Sequence, residues 1–383
     1  MSEAFWKTIH LGEVALIQMG QAPPGETVRS EGKGLPFLQG NAEFGERSPN
    51  SILQCSRPIR RARAGDVLIS VRAPVGALNL ADRDYAIGRG LAAVRFAHIY
   101  PLYGWYALQL AASQLDKVAQ GSTFTAVGGT ELRRLKLQIP VDLGEQRRIA
   151  EVLDALDEEI GHVRRLVSKV RATRRALLRA ELVTVAKYAK LYPLKELGLK
   201  GGEYGSNSPS ISYSEKLPRY VRITDIDDNG RLRSDSKVSH PAVGSSHYML
   251  QEGDLLIART GFTTGKTLLF EAGYGDCVFA GYLVRYRLDR SKVDPQYVYL
   301  WTLGDDFSRW VNQTFREVGQ RNISASEYDR HMVPVPPVEV QHRLIDQIAR
   351  LNRLIDSHQS RCSRLLELKS GLAEDLLTGR VRV

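Results

Sequence analysis

Gln146-Arg-Arg-Ile-Ala-Glu-Val-Leu-Asp-Ala-Leu-Asp-Glu-Glu-Ile160 aligns without a gap on Gln341-His-Arg-Leu-Ile-Asp-Gln-Ile-Ala-Arg-Leu-Asn-Arg-Leu-Ile355, 195 residues further on. Each stretch follows a proline-bearing run, Leu137-Gln-Ile-Pro140 and Val333-Pro-Val-Pro-Pro337, as suits the approach to a helix. In the first copy Ile149, Leu153, Leu156, Ile160, Val163, Val167, Val170 and Leu177 keep the alternating four-three spacing of a coiled-coil seam. The same shift gives Leu344, Ile348, Leu351, Ile355, His358, Cys362, Leu365 and Leu372. Both copies place a cation where the next seam residue is due, Arg174 and Lys369.

An amphipathic stripe usually packs on its own domain, but its length here points elsewhere. From Gly144 to about Lys187 there is no proline and one internal glycine, Gly161. A helix of that length extends roughly 60 Å at 1.5 Å per residue, more than one small domain can bury. The economical arrangement is for the two equivalent helices to pack on each other, antiparallel if the halves are related by a pseudo-twofold. Acids dominate from Glu145 to Glu159, and seven cations from Arg164 to Arg179 follow without an intervening acid. That order complements the helix dipole and reads either as a solvated face or as a stripe facing phosphates.

Working outward, segments 1–143 and 191–338 carry matching signals. Leu11-Gly-Glu-Val-Ala-Leu and Leu194-Lys-Glu-Leu-Gly-Leu open them. Ala64-Gly-Asp-Val-Leu-Ile-Ser-Val-Arg72 and Glu252-Gly-Asp-Leu-Leu-Ile-Ala-Arg259 each make a Gly-Asp turn into a buried strand. Second strands at Gly90–Arg95 and Gly281–Arg285 are followed by aromatic-rich helical patterns from Tyr103 and from Gln296. The expected class is α+β: two similar globular domains, 1–143 and 191–338, separated by long helices at 144–190 and 339–383.

The chain has 383 residues, 43% hydrophobic and 25% charged, a globular composition. There is no signal-like N-terminus and no uninterrupted apolar stretch of about 18 residues, so a cytoplasmic address is expected. Cys55, Cys277 and Cys362 match neither a disulfide framework nor a CxxC metal pair. The net charge of +10 suits a nucleic-acid partner but is shared by other basic proteins. Its distribution is uneven, with 16 Lys and Arg against 12 Asp and Glu in residues 1–143, but 18 against 18 in 191–338. Geometry rather than bulk charge must serve the second domain in any DNA binding.

Each half carries a polar glycine loop before its closing strand, Gln120-Gly-Ser-Thr-Phe-Thr125 and Val318-Gly-Gln-Arg-Asn-Ile-Ser324. Solvation explains such loops, and so does contact with phosphates or base edges, for which Arg321 and Asn322 have fork-shaped donors. The candidate DNA contacts are Gln39, Asn41, Arg72, Arg89, Gln120, Ser122 and Thr123 in the first half. In the second they are Arg222, Thr224, Arg259, Lys266, Gln320, Arg321 and Asn322.

Met19-Gly-Gln-Ala-Pro-Pro-Gly25, Leu35-Pro-Phe-Leu-Gln-Gly40, Gly65–Gly76, Gly88-Arg-Gly-Leu-Ala-Ala-Val-Arg95, Gly121-Ser-Thr-Phe124 and the Glu145-Gln-Arg-Arg-Ile149 junction resemble the specificity subunits of Type I restriction-modification enzymes. Arg259–Lys266, Gly319–Ser324 and Val335–Gln341 resemble the same family in the second half, which departs from the usual Glu-Gln with Val340-Gln341. The resemblance implies two target recognition domains joined by helical regions, reading a split duplex sequence, one half per domain. It implies docking of modification subunits, two of them, and of restriction or translocase subunits, with S-adenosylmethionine and ATP/Mg carried by those partners and no cofactor here. The 29 residues from Ile149 to Leu177 span about 43 Å, a little over one duplex turn of 34 to 36 Å.

Other function classes find less support. Gly261-Phe-Thr-Thr-Gly-Lys-Thr267 is one residue short of a phosphate-cradling P-loop and is not followed by a helical pattern; it reads as a β-hairpin with Lys266 near phosphate. The eight histidines form no metal signature. Asp225, Asp227 and Asp228, beside Asn229-Gly230, read as turn formers. No glycine-rich cofactor motif or Asn-Pro-Pro-aromatic methylation motif occurs, so no catalytic residue is assigned. The alternatives are a specificity subunit of a methylation-only complex, a P-loop nucleotide hydrolase or nuclease, and a coiled-coil adaptor.

Overall fold

The computed structural model describes residues 5–120, 126–227, 230–241, 246–318 and 322–383. The chain divides into two compact units, Met1–Arg164 with Gln359–Val383, and Arg165–His358. These units cut across the segment limits expected from sequence, because each long helix contributes one half to each of them.

The central helix runs Leu143–Ala186 and the C-terminal helix Val338–Thr378. Asp142 starts the first by accepting bonds from the Gly144 and Glu145 amides, at 3.1 and 3.0 Å, two of the donors every helix N-terminus leaves over. Seam residues Ile149, Leu153, Ile160, Val163, Leu344, Ile348 and Ile355 are all buried, and Leu156 and Leu351 half-buried. In the first unit Asp157 meets Lys369 and Glu159 meets Arg361, each at 2.6 Å. One number rises as the other falls, so the helix halves there run antiparallel. In the second unit Arg174 meets Asn352 at 2.7 Å and Glu181 meets Arg343 at 3.6 Å, again antiparallel. Both seam breaks thus have polar partners on the facing helix, which is why a cation is tolerated there.

Each unit's head is α+β. In the first, a four-stranded antiparallel sheet orders Ala15–Met19, Leu91–Phe96, Val67–Ser70 and Leu78–Leu80. A second sheet contains one parallel pair, Leu35–Leu38 beside Tyr85–Ile87. The other head repeats both: Glu203–Tyr204, Leu283–Arg287, Asp254–Ala258 and Thr267–Leu269 in order, and a parallel pair of Arg219–Val221 beside Cys277–Phe279. The Val-Leu-Ile and Leu-Leu-Ile runs read as strands from sequence are the buried centres of these sheets, Leu68 and Ile69, Leu256 and Ile257 among them. Burying each such side chain stabilises by about 1.5–3 kcal/mol.

The aromatic helical patterns become Pro101–Gln120 and Pro295–Thr302, whose buried Tyr103 and Tyr297 donate to Gln138 O and Pro334 O on the short closing strands. Each head is clipped to its helix by a glutamine. Gln146 Oε1 accepts from the Tyr100 amide and its Nε2 donates to Pro140 O, both at 2.8 Å. Gln341 binds the Asp294 amide and Pro336 O in the same way, each at 2.9 Å.

Candidate nucleic-acid interface

In the first head, three loops are laced together by backbone bonds at one end of the sheets. Gly88 N donates to Leu38 O at 2.8 Å, Gly90 N to Gln39 O at 3.2 Å, and Val71 N to Gly90 O at 2.9 Å. The relay places Gln39, Arg89 and Arg72 on neighbouring loops, and all three are exposed, with Asn41 half-buried beside them. Gly90, after Arg89, is required by close approach, since a Cβ there would lie 2.6 Å from Gln39 O; one on Gly88 would press on the Gln39 side chain, 2.7 Å from its Oε1. The fourth loop also arrives here, since Arg72 bridges Ala126 and Val127 N donates to Val71 O. Gln120 closes its helix, but its side chain, with Ser122 and Thr123, lies outside the described residues.

The second head repeats this lacing. Ala280 N donates to Val221 O at 3.0 Å, Arg259 N to Tyr282 O at 3.0 Å, and Ile323 N to Arg259 O at 2.9 Å. Thr260 bridges Asn322 as Arg72 bridges Ala126. The side chains differ. Arg259 is half-buried, its guanidinium stacked 4.5 Å over the Tyr204 ring. Arg259 Nε and Asn322 Oδ1 are buried polar atoms without hydrogen-bond partners among the described residues, costly unless a ligand or water supplies the bond. Gln320 and Arg321 lie outside the described residues.

Arg222 and Thr224 occupy the place of Gln39 and Asn41, but Arg222 is committed internally. Its Nη2 lies 2.8 Å from the buried Asp225 carboxylate and 3.0 Å from Ser236 O, and the bond to Asp225 raises its pKa further above the ordinary guanidinium value. Asp225 is therefore an anchor for an arginine as well as a turn former. Thr224 is exposed. Sequence reasoning missed two residues here: Tyr204, which stacks on Arg259, and Tyr282, which is 63% exposed. The signal for Tyr282 was an aromatic following the glycine of Gly281-Tyr-Leu, a place occupied in the first half by Gly90.

Residues 259–266 join the antiparallel strands Asp254–Ala258 and Thr267–Leu269, with Ile257 opposite Thr267. This strand-to-strand loop offers no helix N-terminus to a nucleotide phosphate, as the hairpin reading expects. Lys266 is half-buried at its end. Among the described residues, no group of three or more His, Cys, Asp or Glu is arranged to hold a metal ion, and no helix is long and apolar enough to cross a membrane.

Residues 4–167 match the family described as the Type I restriction modification DNA specificity domain. The putative Type I restriction enzyme MjaX specificity subunit of Methanocaldococcus jannaschii is 37% identical over 159 residues, covering 40% of this chain and 37% of that one. The likeness therefore spans about two fifths of either chain. The EcoDI specificity subunit of Escherichia coli is 20% identical over 98% of this chain and 88% of its own. The crystal structure of the S subunit of a Type I restriction-modification system from M. genitalium superposes with a TM-score of 0.63, 14% identity, and 98% and 97% coverage. Over residues 4–167 the chain is similar to the DNA specificity domain of Type I restriction-modification systems. Its fold over nearly its whole length, with two α+β heads and two long helices, is similar to that of the M. genitalium S subunit.

Proposed function

We propose that the chain is the sequence-reading subunit of a Type I restriction-modification complex, non-catalytic itself, which binds a bipartite duplex target with one half-site per head. The observation that carries this reading is the repetition of the loop lacing: two heads present polar loops held by three matching backbone bonds but furnished with different side chains. Identical scaffolds with unlike readers suit two unlike half-sites. Gln39, Arg72 and Arg89 serve the first head, Thr224, Arg259 and Asn322 the second, with Lys266 toward phosphate; Gln120, Ser122, Thr123, Gln320 and Arg321 complete the set of candidates. Arg and Asn or Gln offer bidentate donors to guanine and adenine respectively, and phosphate contacts hold the register. Modification subunits, two of them, dock through the helical regions and carry S-adenosylmethionine; restriction subunits, where present, carry ATP and Mg.

The test is domain exchange. Replacing residues 1–143 by another recognition domain, in complex with the modification subunits, changes one half of the methylated sequence and leaves the other half as it was. A change in both halves, or in neither, overturns the reading.

A further inference from the structure

Residues 191–338 hold 18 Lys and Arg against 18 Asp and Glu, so the second head has no surplus charge to give to phosphates and needs another source of affinity. Its loop face offers aromatic rings. Phe262 is 91% exposed, Tyr282 63% and Tyr204 44%. Arg259 ties them together: its guanidinium lies over the Tyr204 ring, its amide donates to Tyr282 O, and Phe262 stands three residues further along the same loop. The first head is furnished differently at these places. Leu283 opposite Ala258 answers to Leu91 opposite Ser70, and Thr260 bridging Asn322 answers to Arg72 bridging Ala126. By that register Tyr204 answers to Met19, Tyr282 to Gly90 and Phe262 to Pro74.

The loop that carries Phe262 is closed by bonds of its own. Ala258 N donates to Lys266 O and Gly265 N to Ala258 O, both at 2.8 Å, Lys266 N donates to Thr263 O at 3.0 Å, and the Thr264 hydroxyl donates to Gly261 O at 2.9 Å. Gly261 and Gly265 turn the chain with φ of 76° and 84°. The backbone therefore sets the hairpin without burying the ring at its tip. A large apolar ring held out on a braced loop, with Arg259 and Lys266 at the loop's two ends, is the form of a side chain that enters a base stack. We propose that Phe262 is a wedge that opens one base step of the second half-site, with Tyr282 offering a face to an unstacked base. A ring carries no donors for base edges, so it selects a step by how cheaply that step unstacks, and pyrimidine–purine steps unstack most readily. This rests on the duplex-reading function proposed above.

The experiment uses the full chain assembled with its modification subunits, and duplexes carrying its target. Each base pair of both half-sites is probed in turn by a fluorescent base that brightens on unstacking, 2-aminopurine for adenine or pyrrolocytosine for cytosine. Wild type brightens the probes at one step of the second half-site. Phe262→Ala abolishes that signal and weakens duplex binding by about tenfold, while Phe262→Leu, which keeps an apolar wedge, retains most of both. A probe that brightens equally in wild type and Phe262→Ala reports a base extruded for methylation and not the wedge. If no signal depends on Phe262, or if the dependent signal falls in the first half-site, the inference is overturned. It is overturned too if Phe262→Ala loses uptake of modification subunits while the complex that does form binds duplex as wild type does, because the ring is then a protein contact. A wild-type complex that binds no duplex overturns the function proposed above together with it.

Discussion

The Lys369 ammonium lies 2.6 Å from the Asp157 carboxylate, and the repeat turns that pair into Arg174 and Asn352, 2.7 Å apart. Each cation fills a seam position where an apolar residue is due, and each partner stands 195 positions from the other. Asp157 also accepts from the Tyr106 hydroxyl at 3.0 Å. The two units solved the same packing problem with different charges. Lys369→Ala leaves a partly buried carboxylate with one bond fewer and is expected to destabilise the first unit by about 1–3 kcal/mol. Asp157→Asn with Lys369→Arg imports the second unit's solution and recovers most of that loss. Urea unfolding of the two singles and the double measures the coupling.

The glutamine clips give a sharper stability prediction. Gln146 and Gln341 are each 2% exposed, and truncating either leaves a buried amide N–H and a carbonyl without partners. Gln146→Leu and Gln341→Leu should each cost about 2–4 kcal/mol. The loss is confined to the head concerned, which limited proteolysis reads as cleavage within that head while the other stays protected.

His331 predicts a pH dependence. Its ring lies 4.1 Å from Trp310 and 4.9 Å from Trp301, and its Nε2 is buried without a hydrogen-bond partner among the described residues. Burial pushes its pKa down to about 4. The unfolded chain, titrating near 6.5, then binds the proton first. Stability of the second unit is full above about pH 6.5, falls as pH drops toward 4, and levels below that, by about 3 kcal/mol. His331→Leu, the residue its counterpart Leu135 already is, removes that slope. A thermal-melt series from pH 4 to 7.5 that shows equal slopes for both proteins contradicts this.

How much was legible follows from which physics the sequence displays. The seam was legible because a four-three spacing that recurs 195 residues on, with its break at Arg174 repeated at Lys369, leaves few alternatives, and Gln146 and Gln341 marked the alignment before their clip was visible. The hairpin at 259–266 was legible because a phosphate loop needs a helix after it and none was patterned. The compact units were not, because a helix that lends its halves to two neighbourhoods carries no composition change at the dividing point. Nor was the commitment of Arg222, since a residue-type argument assigns a donor to DNA without seeing that Asp225, three positions on, has already taken it. Tyr204 was hidden for a related reason: its role depends on a strand pairing some 80 residues away, Tyr204 opposite Val284.

That distinction between available and committed cations yields a DNA prediction. Arg89 is exposed beside Gly90, whose Cα lies too close to the Gln39 carbonyl for a side chain, and Arg222 is pinned to Asp225 and Ser236. In the assembled complex Arg89→Ala should weaken binding to the specific duplex by about 5- to 50-fold, roughly 1–2 kcal/mol. If the contact is to phosphate, the loss is uniform across sequences and the salt slope falls by about one. If it is to a guanine edge, discrimination relaxes at one position of the first half-site only. Arg222→Ala behaves otherwise: it leaves Asp225, 1% exposed, as a buried carboxylate without its guanidinium, so its main effect is on the unfolding midpoint of the second unit. Titrations with fluorescent duplexes at two salt concentrations, beside unfolding curves, separate the two. A larger affinity loss in Arg222→Ala than in Arg89→Ala, with unchanged stability, would show that the Asp225 pair opens on binding.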